Sequence, residues 1–163
     1  ETLNEFPDLY EARWLEGMRR KLGLDTDETG DRELVQGLLD WMQAAKADFT
    51  NTFRDLTSET LLAGERYQHP DFRAWHTRWQ ERLRREGRPL AVVYERMNAV
   101  NPFVIPRNHR VEEVLKAAEE RDDLTPLHEL LAALELPFET TPERATYTVP
   151  PADESGYRTF CGT

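Results

Sequence analysis

The spacing of the apolar residues constrains the fold more than any other feature, because they recur every three to four positions along most of the chain. This period matches the α-helix and differs from the alternation of a half-buried strand. One predicted helical face in the segment 72–83 carries Phe72, Trp75, Trp79 and Leu83. No segment shows the pattern of a strand ladder. The sequence therefore predicts an all-α fold, an irregular arrangement of about six to seven helices.

Glycine and proline residues mark where the predicted helices begin and end. Gly23 and Gly87 follow periodic segments, and glycine readily adopts the left-handed conformation that ends a helix. Thr125 is predicted to cap a helix that has Pro126 at its first position. Further core positions are predicted at apolar residues with helical spacing: Leu15, Met18, Leu22, Leu34, Val35, Leu38, Leu39, Met42, Phe49, Phe53, Leu56, Val111, Val114, Leu115, Ala118, Leu127, Leu130, Leu131 and Leu134.

The last part of the chain has no such period. Residues 137–163 contain prolines, threonines and scattered aromatic residues, and we expect an extended tail that lies on another surface. A length of 163 residues suits one domain. The expected organisation is a helical domain over residues 1–136, which includes a connector at residues 99–108, followed by a proline-containing tail at residues 137–163.

Charge and composition limit the class of protein. The formal net charge of −10 argues against nucleic-acid or membrane-surface partners, and no apolar stretch approaches the roughly 20 residues of a membrane span. The first residues carry no secretory signal, and a lone cysteine fits a reducing compartment. We therefore expect a soluble, cytoplasmic protein. The absence of an initial methionine suggests a piece of a longer one.

Two patterns resemble metal sites, and in each a simpler interpretation is favoured. Residues 25–36 place Asp and Glu at several positions of a calcium-binding loop, but Gln36 stands where a bidentate carboxylate is needed. An acidic turn before a helix explains this loop better. His109, Glu112 and Glu113 have a spacing that can place ligands on one helix face, yet a second histidine at zinc-site spacing is absent. A charged helix start is the favoured interpretation here.

The segment from Arg73 to Arg88 has six arginines against two glutamates. It could bind phosphate or an acidic surface, but a helix with one solvated face and its tryptophans packed on the other is favoured. The sequence has no glycine-rich phosphate-binding motif and no recognisable nucleophile–base pair. We therefore expect no self-contained active site, and no catalytic, cofactor-binding or metal-binding residue is assigned.

The connector interrupts the helical pattern. Pro102 and Pro106 disfavour helical backbone at the residues before them, and three apolar residues between them would be costly to leave in water. We expect a rigid linker that docks in a groove, with Asn101 setting a turn and Asn108 capping the next helix. The predicted docking residues are Asn101, Pro102, Pro106, Arg107, Asn108 and His109.

Several motifs together carry a resemblance to a known family. They are MNAVNPFVIPRNHRVEEVLKAA (97–118), LTPLHELLAALELPFE (124–139) and the terminal YRTFCGT, with ARWLEGMRRKLGL and ADFTNTFRDL upstream. This combination resembles the C-terminal part of the selenoprotein O family of kinase-like protein adenylyltransferases. The resemblance implies transfer of AMP from ATP, with magnesium or manganese, to hydroxyl side chains of other proteins. It also places the family's catalytic motifs in a kinase-like core N-terminal to this segment.

The resemblance suggests a role for one residue, Cys161. A cysteine near this terminus implies a redox partner for a thiol in the core, although an inert terminal thiol remains an alternative. The implied role of the whole chain is a helical domain that braces the kinase-like core, its partner within the same protein. The alternative is a stand-alone helical module that recruits other proteins. Exposed apolar surface is expected around Phe103 and Phe138 in the first case.

Overall fold

The computed structural model describes residues 2–151, with side chains from Phe6 onward. Within these residues the secondary structure is helical, without strands, which confirms the all-α prediction. The α-helices are α1 (Thr2–Lys21), α2 (Asp31–Ala45), α3 (Phe49–Asp55), α4 (Glu59–Leu62), α5 (Pro70–Glu86), α6 (Leu90–Val100), α7 (Asn108–Arg121) and α8 (Thr125–Glu135). The predicted number was low because α4 is a single turn, too short to show a period.

Two compact units make up the chain, residues 1–103 and residues 104–163. The first, unit 1, contains α1 to α6 and a 3-10 helix at Glu65–Gln68. The second, unit 2, contains α7, α8 and a 3-10 helix at Ala145–Thr148. Among the described residues, no helix combines the length and apolar character that crossing a membrane requires.

Two tryptophans of α5 organise the core of unit 1. Trp75 and Trp79 are almost fully buried and stack with ring centroids 5.8 Å apart. The indole N–H of Trp79 donates to the carbonyl of Leu22 at 2.9 Å, and that of Trp75 donates to the carbonyl of Leu34 at 2.8 Å. Each tryptophan thus buries a large apolar area while its polar atom finds a partner. The two bonds tie α5 to the end of α1 and the start of α2.

Most of the core predicted for unit 1 is confirmed. The predicted residues of α2 and α5 are buried, apart from the partly buried Leu39. Phe49 was predicted in the core but is 44% exposed, since it occupies the first position of the short helix α3. Val93 and Met97 of α6 are buried although the pattern did not single them out.

Gly23 fills a position that no other residue suits, because its φ is +74° and an added Cβ would lie 2.5 Å from Cγ1 of Val93. We expect Gly23→Ala to lower the free energy of unfolding by about 2–3 kcal/mol, from left-handed strain and overpacking. Gly17 in α1 is the matched control, with no atom within 4 Å of its would-be Cβ. Gly17→Ala should raise that free energy by about 0.5–1 kcal/mol. Urea denaturation of both variants measures the contrast, and equal effects would contradict it.

Fewer apolar residues are buried in the described part of unit 2, residues 104–151, than in unit 1. The helices α7 and α8 bury Val114, Ala117, Leu130 and Ala133. Leu115 and Leu131 were predicted in the core, but they are 56% and 52% exposed. The predicted apolar stripes were therefore too wide for these two helices.

Two predicted helix caps in unit 2 were wrong by one residue. Asn108 is the first residue of α7, whose N-cap is Arg107. Thr125 is likewise the first residue of α8, and its backbone N–H donates to Oδ1 of Asp123 at 3.0 Å. An acceptor two residues earlier therefore satisfies an amide that lacks a partner within the helix.

The described part of the predicted tail is not continuously extended. Residues 142–148 form turns and the 3-10 helix, and the carbonyl of Thr146 accepts a hydrogen bond from Nη2 of Arg110 at 3.1 Å. Arg110, which the sequence did not single out, therefore holds this segment against the start of α7. Residues 152–163, which include Cys161, lie outside the described residues.

Candidate docking connector

The connector begins at Asn101, a buried residue that ends α6 and is only 1% exposed. Its Nδ2 donates to the carbonyl of Lys21 at 2.9 Å, and its Oδ1 accepts from Nζ of Lys21 at 3.2 Å. The Lys21 carbonyl belongs to the last turn of α1, where carbonyls lack partners within the helix. Asn101 therefore joins the ends of α1 and α6.

Arg54 of α3 completes this junction. Its Nη1 donates to the carbonyls of Asn98 and Asn101, at 3.1 and 3.0 Å. A cation at the carbonyl end of a helix also interacts favourably with the helix dipole. Burial lowers the pKa of Arg54 and the pKa of Lys21, because it disfavours the charged forms. At the start of the connector, the partly desolvated Arg54 thus donates to backbone carbonyls, and the partly desolvated Lys21 donates to the side-chain oxygen of Asn101.

Aromatic rings shield the two cations. The Lys21 ammonium lies 5.4 Å from the ring centroid of Phe53 and 5.7 Å from that of Phe49. The Arg54 guanidinium lies 5.4 Å from the centroid of Phe103, so the half-buried Phe103 packs on a cation within unit 1. Exposed surface was expected around Phe103 and Phe138, and Phe138 is 44% exposed.

The second half of the connector belongs to unit 2. Val104 is buried and donates its N–H to the carbonyl of Pro137 at 3.0 Å. Arg107 is 8% exposed and donates its N–H to the carbonyl of Ile105 at 2.8 Å, a tight turn before α7. Pro106 and Asn108 are exposed and His109 is half-buried. Of the six predicted docking residues, these three and the half-buried Pro102 are accessible to solvent.

Replacing Asn101 tests its place in the fold. We expect Asn101→Ala to lower the free energy of unfolding by about 1–3 kcal/mol, because the Lys21 carbonyl and ammonium lose a buried partner. Asn108 is the matched control, since it is exposed at the start of α7, and Asn108→Ala should stay within about 0.5 kcal/mol. Thermal denaturation of both variants makes the comparison. If Asn101→Ala leaves the free energy of unfolding unchanged, Asn101 does not act as a structural junction.

The acidic loop that resembles a calcium site binds arginines. Asp25 pairs with Arg88 at 2.6 Å and also contacts Arg96. Asp27 pairs with Arg19 at 2.8 Å. Carboxylates held in this way already have cationic partners, which supports the interpretation as a structural acidic turn.

One arginine of the basic helix α5 is buried against this acidic loop. Arg82 is 2% exposed, and its Nε donates to Oδ1 of Asp31 at 2.7 Å while its Nη1 donates to Oε1 of Glu86 at 2.8 Å. Its Nη2 donates to the carbonyl of Thr26 at 2.9 Å, and Glu28 adds an ion pair at 3.0 Å. The helix was expected to solvate its arginines on one face. That expectation was wrong for Arg82, which links α5 to the loop before α2.

His76 of α5 lies against the tryptophan core. Its ring centroid is 5.3 Å from that of Trp79 and 5.6 Å from that of Phe72. Its Nε2 is buried and has no hydrogen-bond partner among the described residues. Burial therefore lowers the pKa of His76 below its ordinary value of 6.5.

This pKa direction gives a pH prediction. Below pH 6.5 the unfolded chain binds a proton at His76 that the folded chain does not bind until lower pH, so the free energy of unfolding should decrease as pH falls through this range. The contribution is fully present above pH 6.5. His76→Phe removes the titrating group and keeps an aromatic ring. The loss of melting temperature between pH 7.5 and 5 should be smaller in this variant, and an equal loss would contradict the assignment.

The described residues include no group of three or more His, Cys, Asp or Glu side chains with metal-site geometry. A groove of about 580 Å³ lies between α2 and α5. Its lining combines small, aromatic and polar residues: Gly37, Ala44, Ala45, Ala74, Trp41, Trp75, Asp40, His69, Asp71 and Arg78. Nδ1 of His69 lies 3.6 Å from Oδ2 of Asp71 in this groove, and both side chains are exposed.

Comparison with known proteins identifies the family to which the chain is related. The family model of the protein adenylyltransferase SelO matches residues 1–135. The chain is 50% identical over 163 residues to the protein nucleotidyltransferase YdiU of Syntrophotalea carbinolica, a match of 99% of this chain and 33% of that protein. Identity to the same-named protein of Geobacillus kaustophilus is 46%, over 99% of this chain and 34% of that protein.

A third relative, the YdiU protein of Nitrosococcus oceani, is 45% identical over all of this chain and 33% of its own length. The chain belongs to the SelO family. It spans about a third of the length of the curated relatives that it matches.

Proposed function

We propose that this chain is the C-terminal helical domain of a protein adenylyltransferase, and that it braces the kinase-like core without taking part in the chemistry. The observation that carries the proposal is the match along the whole chain to relatives three times as long. The described residues provide a rigid junction at Asn101 and a thin helical pair in unit 2. Both features suit a domain that is stabilised by further contacts.

The connector supplies a second element of the proposal. Asn101 fixes its start within unit 1, and the tight turn at Arg107 fixes its end within unit 2. Within unit 2, the exposed Pro106 and Asn108 and the half-buried His109 offer a surface to the core. A strap that is already ordered loses less conformational entropy when it binds than a flexible one.

The parent protein would bind ATP with magnesium or manganese in its core and transfer AMP to hydroxyl groups of client proteins. Cys161 is the proposed regulatory residue, and it lies outside the described residues. Its thiol and a thiol of the core would form one disulfide, while a cellular disulfide such as oxidised glutathione takes up the two electrons and two protons. Closing this bond would tie the terminus to the core and change the rate of AMP transfer.

The test is AMP transfer from labelled ATP, measured for the full-length protein and for residues 1–163 alone. We expect transfer by the full-length protein only, with a rate that depends on the thiol–disulfide ratio of the buffer. The Cys161→Ser variant should keep the transfer and lose the redox dependence. Transfer by residues 1–163 alone would contradict a non-catalytic role, and transfer by neither would favour a protein-interaction module.

A further inference from the structure

The first turns of α1 carry an exposed apolar face. Phe6 is 64% exposed, Leu9 61% and Tyr10 63%, the three largest values among the exposed large hydrophobic residues described. Their spacing of three and four places them on one side of the helix. The rings of Phe6 and Tyr10 stack with centroids 6.2 Å apart. We call Phe6, Leu9 and Tyr10 the α1 face.

The helix around this face has little support within unit 1. Every side chain from Phe6 to Arg13 is exposed, and burial begins only at Trp14. The exposed ion pair of Glu11 with Arg32 of α2 is the kind of contact that contributes little stability. Helical turns of this length are marginal in water unless an apolar face is buried. The α1 face therefore has the properties of a contact surface that is completed by another part of a protein.

We infer that the α1 face binds the part of the full-length protein that lies outside this chain. This inference rests on the proposed function, since it assigns a surface to the bracing contact. The family match includes residue 1 onward, so the α1 face lies inside the region shared with the family. The curated relatives carry two thirds of their length beyond the matched region. A partner surface in the same polypeptide is present at a high effective concentration.

The matching partner surface is apolar. A face made of two aromatic rings and one leucine gains most by burial in a hydrophobic groove that excludes water. A second copy of this chain could offer the same chemistry, and the experiment below separates the two occupants. The α1 face is distinct from single exposed residues such as Leu61 in α4, which are common on protein surfaces.

Cysteine labelling tests this inference directly. Tyr10→Cys is placed in a Cys161→Ser background, in residues 1–163 and in the full-length protein, and the rate of maleimide labelling at position 10 is measured in each by peptide mass spectrometry, which separates it from labelling of thiols in the core. Leu61→Cys is the matched control, because Leu61 is also more than half exposed. We expect labelling of Tyr10→Cys at least about tenfold slower in the full-length protein, where a reaction at a covered site needs local opening. The rate at Leu61→Cys should agree within about twofold, as expected of a site that stays open.

Equal rates for Tyr10→Cys in both proteins would overturn the inference, as would an equal slowing at Leu61→Cys. Slow, concentration-dependent labelling in residues 1–163 alone would assign the face to a second copy and would also overturn it. The readout needs no activity. If the full-length protein transfers AMP but its α1 face is not protected, this surface is rejected and the proposed function stands. If the α1 face is protected but no AMP is transferred, the surface stands and the proposed function is rejected.

Discussion

Arg82→Met is expected to lower the free energy of unfolding by about 3–5 kcal/mol, the cost of removing one partner from a buried ion pair. The Arg82 side chain is 3% exposed, and the side chains of its partners Asp31 and Glu86 are each 2% exposed. Methionine keeps much of the volume but leaves both carboxylates without their cation. The loop before α2 would then lose the links that Arg82 makes to it, while Glu86 of α5 still accepts hydrogen bonds from Asp25 and Thr26.

The pKa of Glu86 supports this account. Burial alone would raise this pKa, but hydrogen bonds from Thr26 and Arg82 outweigh it and hold the pKa below its ordinary value of 4.5. Because the folded carboxyl binds its proton at lower pH than the unfolded one, its contribution is present above pH 4.5 and is lost as pH falls below that value.

Arg84 is the control for Arg82. It lies two residues further along α5, and its side chain is 74% exposed with a 3.7 Å ion pair to Glu81. Arg84→Met should change the free energy of unfolding by less than about 0.5 kcal/mol. Urea denaturation at pH 7 measures both variants. A change below about 1 kcal/mol in Arg82→Met would mean that the buried network contributes no more than surface pairs do.

Trp79→Ala is expected to cost about 3–5 kcal/mol, the usual range for deleting a large buried aromatic side chain. Trp79 is 0% exposed, stacks on Trp75 and donates to the Leu22 carbonyl. The substitution would leave a cavity between α1 and α5 and a carbonyl without its indole partner. It would also remove one ring from the contacts of His76.

The partly buried Trp14 of α1 is the control, because it shows how much stability is lost when a less buried tryptophan is removed. Trp14→Ala should cost less than half as much as Trp79→Ala, because less apolar area returns to water. Chemical denaturation followed by far-UV circular dichroism measures both variants without relying on tryptophan fluorescence. Similar losses in the two variants would contradict the central position of Trp79.

The sequence predicted the core of unit 1 well for a physical reason. Trp75 and Trp79 lie one turn apart on a helix with a proline start and a glycine end, so local spacing alone places them on one buried face. Gly23 also ends α1 as predicted, in the left-handed conformation. In these places local preference and tertiary packing agree.

Other features depend on residues far apart in the chain and could not be predicted from spacing. Arg82 was one of six arginines in its segment, and its burial depends on Asp31, which lies 51 positions away. The role of Asn101 depends likewise on Lys21, 80 positions away. In unit 2 the helical period was correct, but it could not show that Leu115 and Leu131 face outward.

The candidate docking residues likewise include features that local spacing predicts and features that it does not. Proline spacing predicted an ordered connector, and in the structure the N–H of Arg107 donates to the carbonyl of Ile105 in a tight turn. The pattern did not distinguish Asn101, which serves the fold of unit 1, from Asn108, which is exposed. The α1 face was missed because the predicted apolar positions of the first helix begin at Leu15, whereas α1 begins at Thr2.

The bracing role is tested most directly by removing residues 1–163 from the full-length protein and measuring the melting temperature and AMP transfer of the remaining part. The account predicts a lower melting temperature and a loss of transfer, both restored when the complete polypeptide is used. A remaining part that melts at the same temperature and transfers AMP at the same rate would contradict it. In that case this chain would not brace the core.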